Sequence, residues 1–186
     1  LEQQQLESYE LILVNDGSRD ASWDIMTRLA DDDPRLICAD LSRNHGHQIA
    51  LTAGLTVARG SHILILDADL QDPPELLGAM LHRMGEGFDV VYGQRRGRAG
   101  ESWFKRASAS LFYRLIDRMS DVEIPRDTGD FRLMSRRALD RLLAMPENFR
   151  FIRGMVSWIG YRQSAFLFDR DQRFAGETHY PLRRMI

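Results

Sequence analysis

The stretch His62-Ile63-Leu64-Ile65-Leu66-Asp67-Ala68-Asp69-Leu70-Gln71-Asp72-Pro73-Pro74 runs from an aliphatic segment straight into an acidic turn. A short apolar run of this length, bounded by turn-forming residues, reads as a buried strand. Pro73-Pro74-Glu75 then opens a helix to about Met84, because proline suits the first helical turn. Alternate residues leaving a strand point the same way, so Asp67, Asp69 and Gln71 can converge on one spot. Two carboxylates and an amide oxygen are hard donors, suited to Mg²⁺ or Mn²⁺ with places left for phosphate oxygens. The plainer alternative is an acidic loop that only caps the next helix. An Asp-X-Asp after a strand also suggests haloacid-dehalogenase-type phosphatases, but these want Thr or Val where Gln71 stands.

Outward from that stretch, strands and helices alternate. Glu10 to Val14 is a strand ending at the turn Asn15-Asp16-Gly17-Ser18, and Ser22 to Ala30 has helical spacing. Leu36 to Leu41 is a second strand, Gly46 to Ala58 a helix stopped by Gly60, and Phe88 to Tyr92 a further strand. This order predicts an α/β fold, a mostly parallel sheet with helices on both faces. Ligands of such sheets bind at the carboxyl ends of strands, where the turns at Asp16 and at Asp67–Asp72 both lie. Ser102 to Met119 reads as an amphipathic helix, either packed on the core or lying at a membrane surface.

Length and composition set the bounds. The chain has 186 residues, 44% hydrophobic and 28% charged, enough for one domain with its own core. Its net charge of −2 conceals an asymmetry. Residues 1–93 carry 16 acidic and 6 basic side chains, whereas residues 94–186 carry 11 and 19. An acidic half suits a cation, and a basic half suits phosphates or an anionic membrane. Cys38 stands alone, which excludes an internal disulfide. No run of 18 apolar residues and no signal-peptide pattern is present, and the chain opens on Leu1. It therefore reads as part of a longer protein.

Val14-Asn15-Asp16-Gly17-Ser18, Asp67-Ala68-Asp69-Leu70-Gln71, Gly129-Asp130-Phe131-Arg132 and Arg173-Phe174-Ala175-Gly176-Glu177-Thr178 follow one another as in family 2 glycosyltransferases. Arg43-Asn44, Ala50-Leu51-Thr52-Ala53-Gly54-Leu55 and Phe151-Ile152-Arg153-Gly154 are similar too, so the resemblance covers nearly the whole chain. It is strongest to the dolichol-phosphate mannosyltransferase-like enzymes and their bacterial undecaprenyl-phosphate glucosyltransferase relatives. The resemblance implies a GT-A, Rossmann-like nucleotide-sugar fold, an inverting mechanism and a lipid-phosphate acceptor. By motif position, Val14 and Asp16 would hold the base and ribose, and Asp67 and Ala68 would also touch the nucleotide. Asp69 and Gln71 would bind the metal, while Arg95 would contact the donor. Arg173 would lie on a mobile loop that closes over the diphosphate, and Asp130 and Arg132 where sugar and acceptor phosphate meet.

The sequence departs from that pattern in three places. The family's first strand, Val-Val-Pro-Val-Tyr-Asn-Glu, has no counterpart before Glu10. Asn15 stands where an acid is common, and His179 where lysine is common. His45 and His47 flank Gly46 at a helix start and read as a helix entry, since a site needs further partners.

The expectation is a metal-dependent transfer of sugar from a nucleotide-diphosphate sugar to a polyprenyl phosphate. UDP-sugars are favoured and GDP-mannose is the second choice. Residues 1–186 would be a partial catalytic domain at the cytoplasmic face of a bacterial inner membrane. The expected partners are donor, acceptor and membrane surface, with a homo-oligomer admissible and no nucleic acid. The rival classes are a non-catalytic nucleotide-sugar-binding module and a nucleotidyltransferase; the latter would normally show a Gly-rich phosphate loop near its start.

Overall fold

The computed structural model describes residues 6, 8–69, 71–95, 125 and 128–168. The Ser102–Met119 helix, the Arg173 loop, His179 and the basic carboxyl end lie outside these residues.

The first unit is a βαβ crossover. β1 (Leu11–Asn15) and β2 (Leu36–Asp40) pair in parallel, with Leu11 opposite Leu36 and Asn15 opposite Asp40. α1 (Ser22–Asp32) joins them, and Asp20 Oδ1 accepts the Ser22 amide at 3.0 Å as it begins. α2 (His47–Val57) then packs on β1 so closely that a methyl group at Gly54 would sit 3.0 Å from Val14 Cγ2.

The second sheet contains β3 (His62–Ile65), β4 (Val90–Arg95), β5 (Thr128–Ser135) and β6 (Gln163–Phe168), in the order β3-β5-β4-β6. β5 pairs antiparallel with both β3 and β4, while β4 and β6 are parallel. Hence β3, β4 and β6 run one way and β5 is inserted against them, an antiparallel strand that the sequence reading did not assign. The remaining helices are α3 (Leu77–Gly85), preceded by a 3₁₀ turn at Pro74–Leu76, α4 (Arg136–Leu143) and α5 (Ile152–Trp158). Pro74 thus starts a 3₁₀ turn, and the α-helix expected from there begins only at Leu77.

The core shows why the sheet carries helices on both faces. Successive strand residues point to opposite sides, and Val90 pairs with Met134 while Val91 pairs with Leu133. Val90 and Met134 join Leu55, Leu139, Ile152 and Val156 beneath α2, α4 and α5. Val91 and Leu133 join Leu77, Met80, Phe131 and Phe168 on the α3 side. By the same alternation Asp130 and Arg132 share the face of Met134, toward α2 and α5. Among the described residues no helix is long and apolar enough to cross a membrane.

Candidate active site

Three elements bring their ends together at one edge of the sheets. Antiparallel pairing sets Ile65 opposite Arg132. Two residues further along β3, and two back along β5, that register carries Asp67 to the level of Asp130. β4, parallel to β3, delivers Arg95 to the same end, where its Nη2 atom lies beside Gly129.

At the end of β1 the turn is held by its own polar side chains. Asn15 is buried; it donates to Asp40 Oδ1 at 2.7 Å and accepts the Ser18 amide at 3.0 Å. Asp16 accepts the amides of His45 at 2.7 Å and Gly46 at 2.9 Å, fastening the turn to the entry of α2. Gly17 has φ 66°, and a Cβ there would stand 2.5 Å from the Asn44 amide nitrogen, so only glycine fits. A cavity of about 450 Å³ opens here, lined among others by Asn15, Gly17, Trp23, Asp40, Arg43 and Asn44.

The turn after β3 folds back on itself. Asp69 Oδ1 accepts the Gln71 amide at 3.1 Å, and the buried Asp72 accepts the Asp67 amide at 3.4 Å. Ala68 is exposed, while Asp67, Asp69 and Gln71 are partly buried. The donors are hard oxygens, as a Mg²⁺ or Mn²⁺ site needs. Among the described residues no three His, Cys, Asp or Glu side chains are gathered as a complete cage. Asp69 and Gln71 offer one carboxylate and one amide oxygen, donors of the kind that Mg²⁺ takes together with phosphate oxygens and water.

Asp130 is a carboxylate held by side chains from two other elements. It is buried, and its Oδ2 lies 2.9 Å from His47 Nε2 and 3.1 Å from the Gln48 side-chain amide. Its Oδ1 makes no hydrogen bond among the described residues, with Arg153 Nε at 3.6 Å and Arg132 Nη2 at 3.8 Å. Burial alone would raise its pKa. The His47 bond and the charges of Arg132 and Arg153 outweigh it, so the carboxyl is held below its ordinary range and is ionised at neutral pH.

Arg132 is also buried, donating to the carbonyls of Asp130 at 3.2 Å and Gly129 at 3.0 Å. Burial pulls its pKa down to about 10, with Asp130 opposing and Arg153 assisting. It remains a cation at neutral pH.

Of the expected site residues, Asp67 and Asp130 meet at His47, Arg132 lies 3.8 Å from Asp130 on its other side, and Asp16 is bonded to the backbone beside His47. Val14 lies back in β1, its side chain against α2. His47, Gln48 and Arg153 are the members that sequence reasoning missed. His47 does open α2, as expected of a helix entry, but its imidazole also reaches Asp130 and lies 3.9 Å from Asp67 Oδ1. The signal for it was position, since side chains of a helix's first turn lean toward its amino end.

A family model described as Glycosyl transferase family 2 matches residues 1–143. The protein named "Uncharacterized glycosyltransferase YkcC" of Bacillus subtilis is 51% identical over 180 residues, covering 97% of this chain and 56% of that protein. The "Prophage bactoprenol glucosyl transferase homolog" of Escherichia coli is 38% identical over 179 residues, covering 95% and 58%. The chain thus spans about half the length of the curated relatives it matches. Among solved structures, the mannosyltransferase PcManGT from Pyrobaculum calidifontis, in complex with GDP-Man and Mn²⁺, superposes with a TM-score of 0.58 at 20% identity, covering 85% of this chain and 45% of that one. Staphylococcus aureus TarS 1-349 gives a TM-score of 0.54 at 17% identity, covering 84% and 48%. The fold is GT-A.

Proposed function

The chain belongs to glycosyl transferase family 2, and on that premise we propose that its parent protein moves a sugar from a nucleotide-diphosphate sugar to a polyprenyl phosphate with inversion. Support for the acceptor comes from relatives named bactoprenol glucosyl transferase, at 37% and 38% identity. The observation that carries the chemistry is Asp130, an ionised, buried carboxylate between cations, one of whose oxygens has no hydrogen bond among the described residues.

In this reading the cavity beside Asp16, with Trp23 and the polar Asn15, Asp40 and Asn44, receives the base and ribose. Asp67 and Ala68 continue the nucleotide site, and Arg95 and Arg173 meet the diphosphate. Asp69 and Gln71 would hold Mg²⁺ or Mn²⁺, which supplies charge neutralisation on the leaving diphosphate. An oxygen of the acceptor phosphate attacks the anomeric carbon, the bond to the diphosphate breaks, and a nucleoside diphosphate leaves. That phosphate is already ionised near neutral pH, so Asp130 need not remove a proton. Its negative charge instead opposes the positive charge that develops on the sugar, and Arg132 and Arg153 lie on the acceptor side. A lipid acceptor places the reaction at a membrane surface, the cytoplasmic face in a bacterium.

The test is incubation of the full-length protein with radiolabelled UDP-glucose or GDP-mannose, polyprenyl phosphate and Mn²⁺, followed by organic extraction. Label should enter the lipid phase. Asp69→Asn should lower that rate about a hundredfold or more through loss of a charged ligand. Donor binding without labelled lipid would instead mark a binding module, and full activity in chelator would remove the metal from the reading.

A further inference from the structure

α2 begins inside the site. Gly46, at φ 93°, turns the chain into the helix, and His47 and Gln48 form its first turn. Both side chains bond the same oxygen of Asp130. Gln48 is itself fixed from behind, its Oε1 accepting the Ile152 amide of α5 at 2.9 Å. His47 is different. It is half exposed, and besides Asp130 at 2.9 Å its Nε2 faces Asp67 Oδ1 at 3.9 Å. An ionised carboxylate only accepts, so Nε2 must carry the hydrogen and donate it.

We propose that His47 is a positioning residue for the transfer step, its imidazole tying the acceptor-side carboxylate Asp130 to the nucleotide-side carboxylate Asp67. The proposal rests on the transferase reading given above. The hydrogen bond to Oδ2 fixes the rotation of the Asp130 carboxyl, and so keeps Oδ1, buried and without a hydrogen bond among the described residues, between Arg132 and Arg153. Through the same ring, the turn that leads to Asp69 and Gln71 is held at a set distance from β5.

The charges around the ring suit this role. Asp130 from β5 and Asp67 from the turn after β3 favour the imidazolium, while Arg153 from α5 disfavours it. Arg132 of β5 stands behind Asp130, and Asp16 holds the backbone of His45 and Gly46 just before the ring. The hydrogen bond to Asp130 outweighs burial, and the His47 pKa is raised.

The test compares H47A, H47Q, D130N and the double variant H47A/D130N in the full-length protein. H47A should lower kcat about 10- to 100-fold with donor KM changed less than about threefold, as expected when a reacting group is misplaced. H47Q, which can still donate to Asp130, should recover much of that loss. The double variant should be no slower than D130N alone, because the two residues act as one unit. In NMR titrations the His47 ring of the wild type should titrate above free histidine, and its midpoint should fall in D130N. Wild-type kcat in H47A, additive losses in the double variant, or a midpoint indifferent to D130N would each overturn the proposal. Should the wild-type protein label no lipid at all, the transferase reading falls, and the midpoint in D130N still decides whether the bridge exists.

Discussion

Asp89 has almost no exposure, and its carboxylate accepts three hydrogen bonds from its neighbours. Arg137 donates to its two oxygens at 2.5 and 2.7 Å, Ser135 Oγ at 2.9 Å, and its own carbonyl accepts the Ser135 amide at 2.8 Å. These bonds join the start of β4 to the junction of β5 and α4, next to the core residue Val90. The Arg137 bonds come first in holding the Asp89 pKa down, with burial opposing. A carboxylate whose folded pKa is depressed contributes stability above its unfolded pKa near 3.9 and loses it as pH falls through the folded value. D89N should therefore destabilise the protein by about 1–3 kcal/mol at neutral pH. Its deficit should shrink as pH drops below about 4, which urea denaturation at pH 7 and pH 3.5 would show; an equal deficit at both would refute the linkage. At this scale Asp16, Asp67 and Asp69 were legible because each follows a recognisable strand. His47 and Arg153 were not, because their roles depend on which oxygen of Asp130 they approach across 83 and 23 residues of chain, the first separation fixed by the fold alone.

Among the elements, β4 shows what alternation predicts and where it stops. Its aliphatic start, Val90 and Val91, was readable, but its later residues were not, since Gly93, Gln94 and Arg95 carry no apolar pattern. Gly93 is required by packing: a Cβ there would collide with Phe131 and would stand 2.8 Å from Phe168 Cε1. Those two rings meet edge to face with centroids 5.2 Å apart. G93A should accordingly cost about 1–3 kcal/mol by overpacking, measured as a lower denaturation midpoint with unchanged slope. A neutral G93A would show that the Phe131–Phe168 pair can slide. β5 was hidden for a related reason. Asp130 and Arg132 interrupt its hydrophobic run because the strand brings charge into the interior, and a polar residue at a core position reads as loop. The elements that carry function broke the pattern by which elements are found.

Across the whole molecule, residues 1–93 carry 16 acids against 6 bases, and the proposed metal ligands Asp69 and Gln71 lie in that acidic half, with no cluster of three His, Cys, Asp or Glu among the described residues. Asp69 and Gln71 offer one charge and one amide, too little to strip a Mg²⁺ of its water. A nucleoside diphosphate on its own would approach Asp67 and Asp69 as like charges. Each ligand thus supplies what the other lacks, since the metal neutralises the diphosphate and the diphosphate completes the metal's shell. On the proposed assignment, UDP and Mn²⁺ together should raise the melting temperature of the full-length protein well beyond the sum of their separate effects. At about a hundred times the joint dissociation constant the stabilisation is about 2.7 kcal/mol, a rise of several degrees in melting temperature. D69N should abolish the excess while leaving the unliganded melting temperature within about 1–2 °C, because the asparagine side-chain oxygen can still accept the Gln71 amide. Shifts that merely add, or an excess that survives in D69N, would move the metal away from the turn after β3. The synergy separates a metal recruited by substrate from one resident in the fold, and the proposed assignment to two side chains on a turn expects the first.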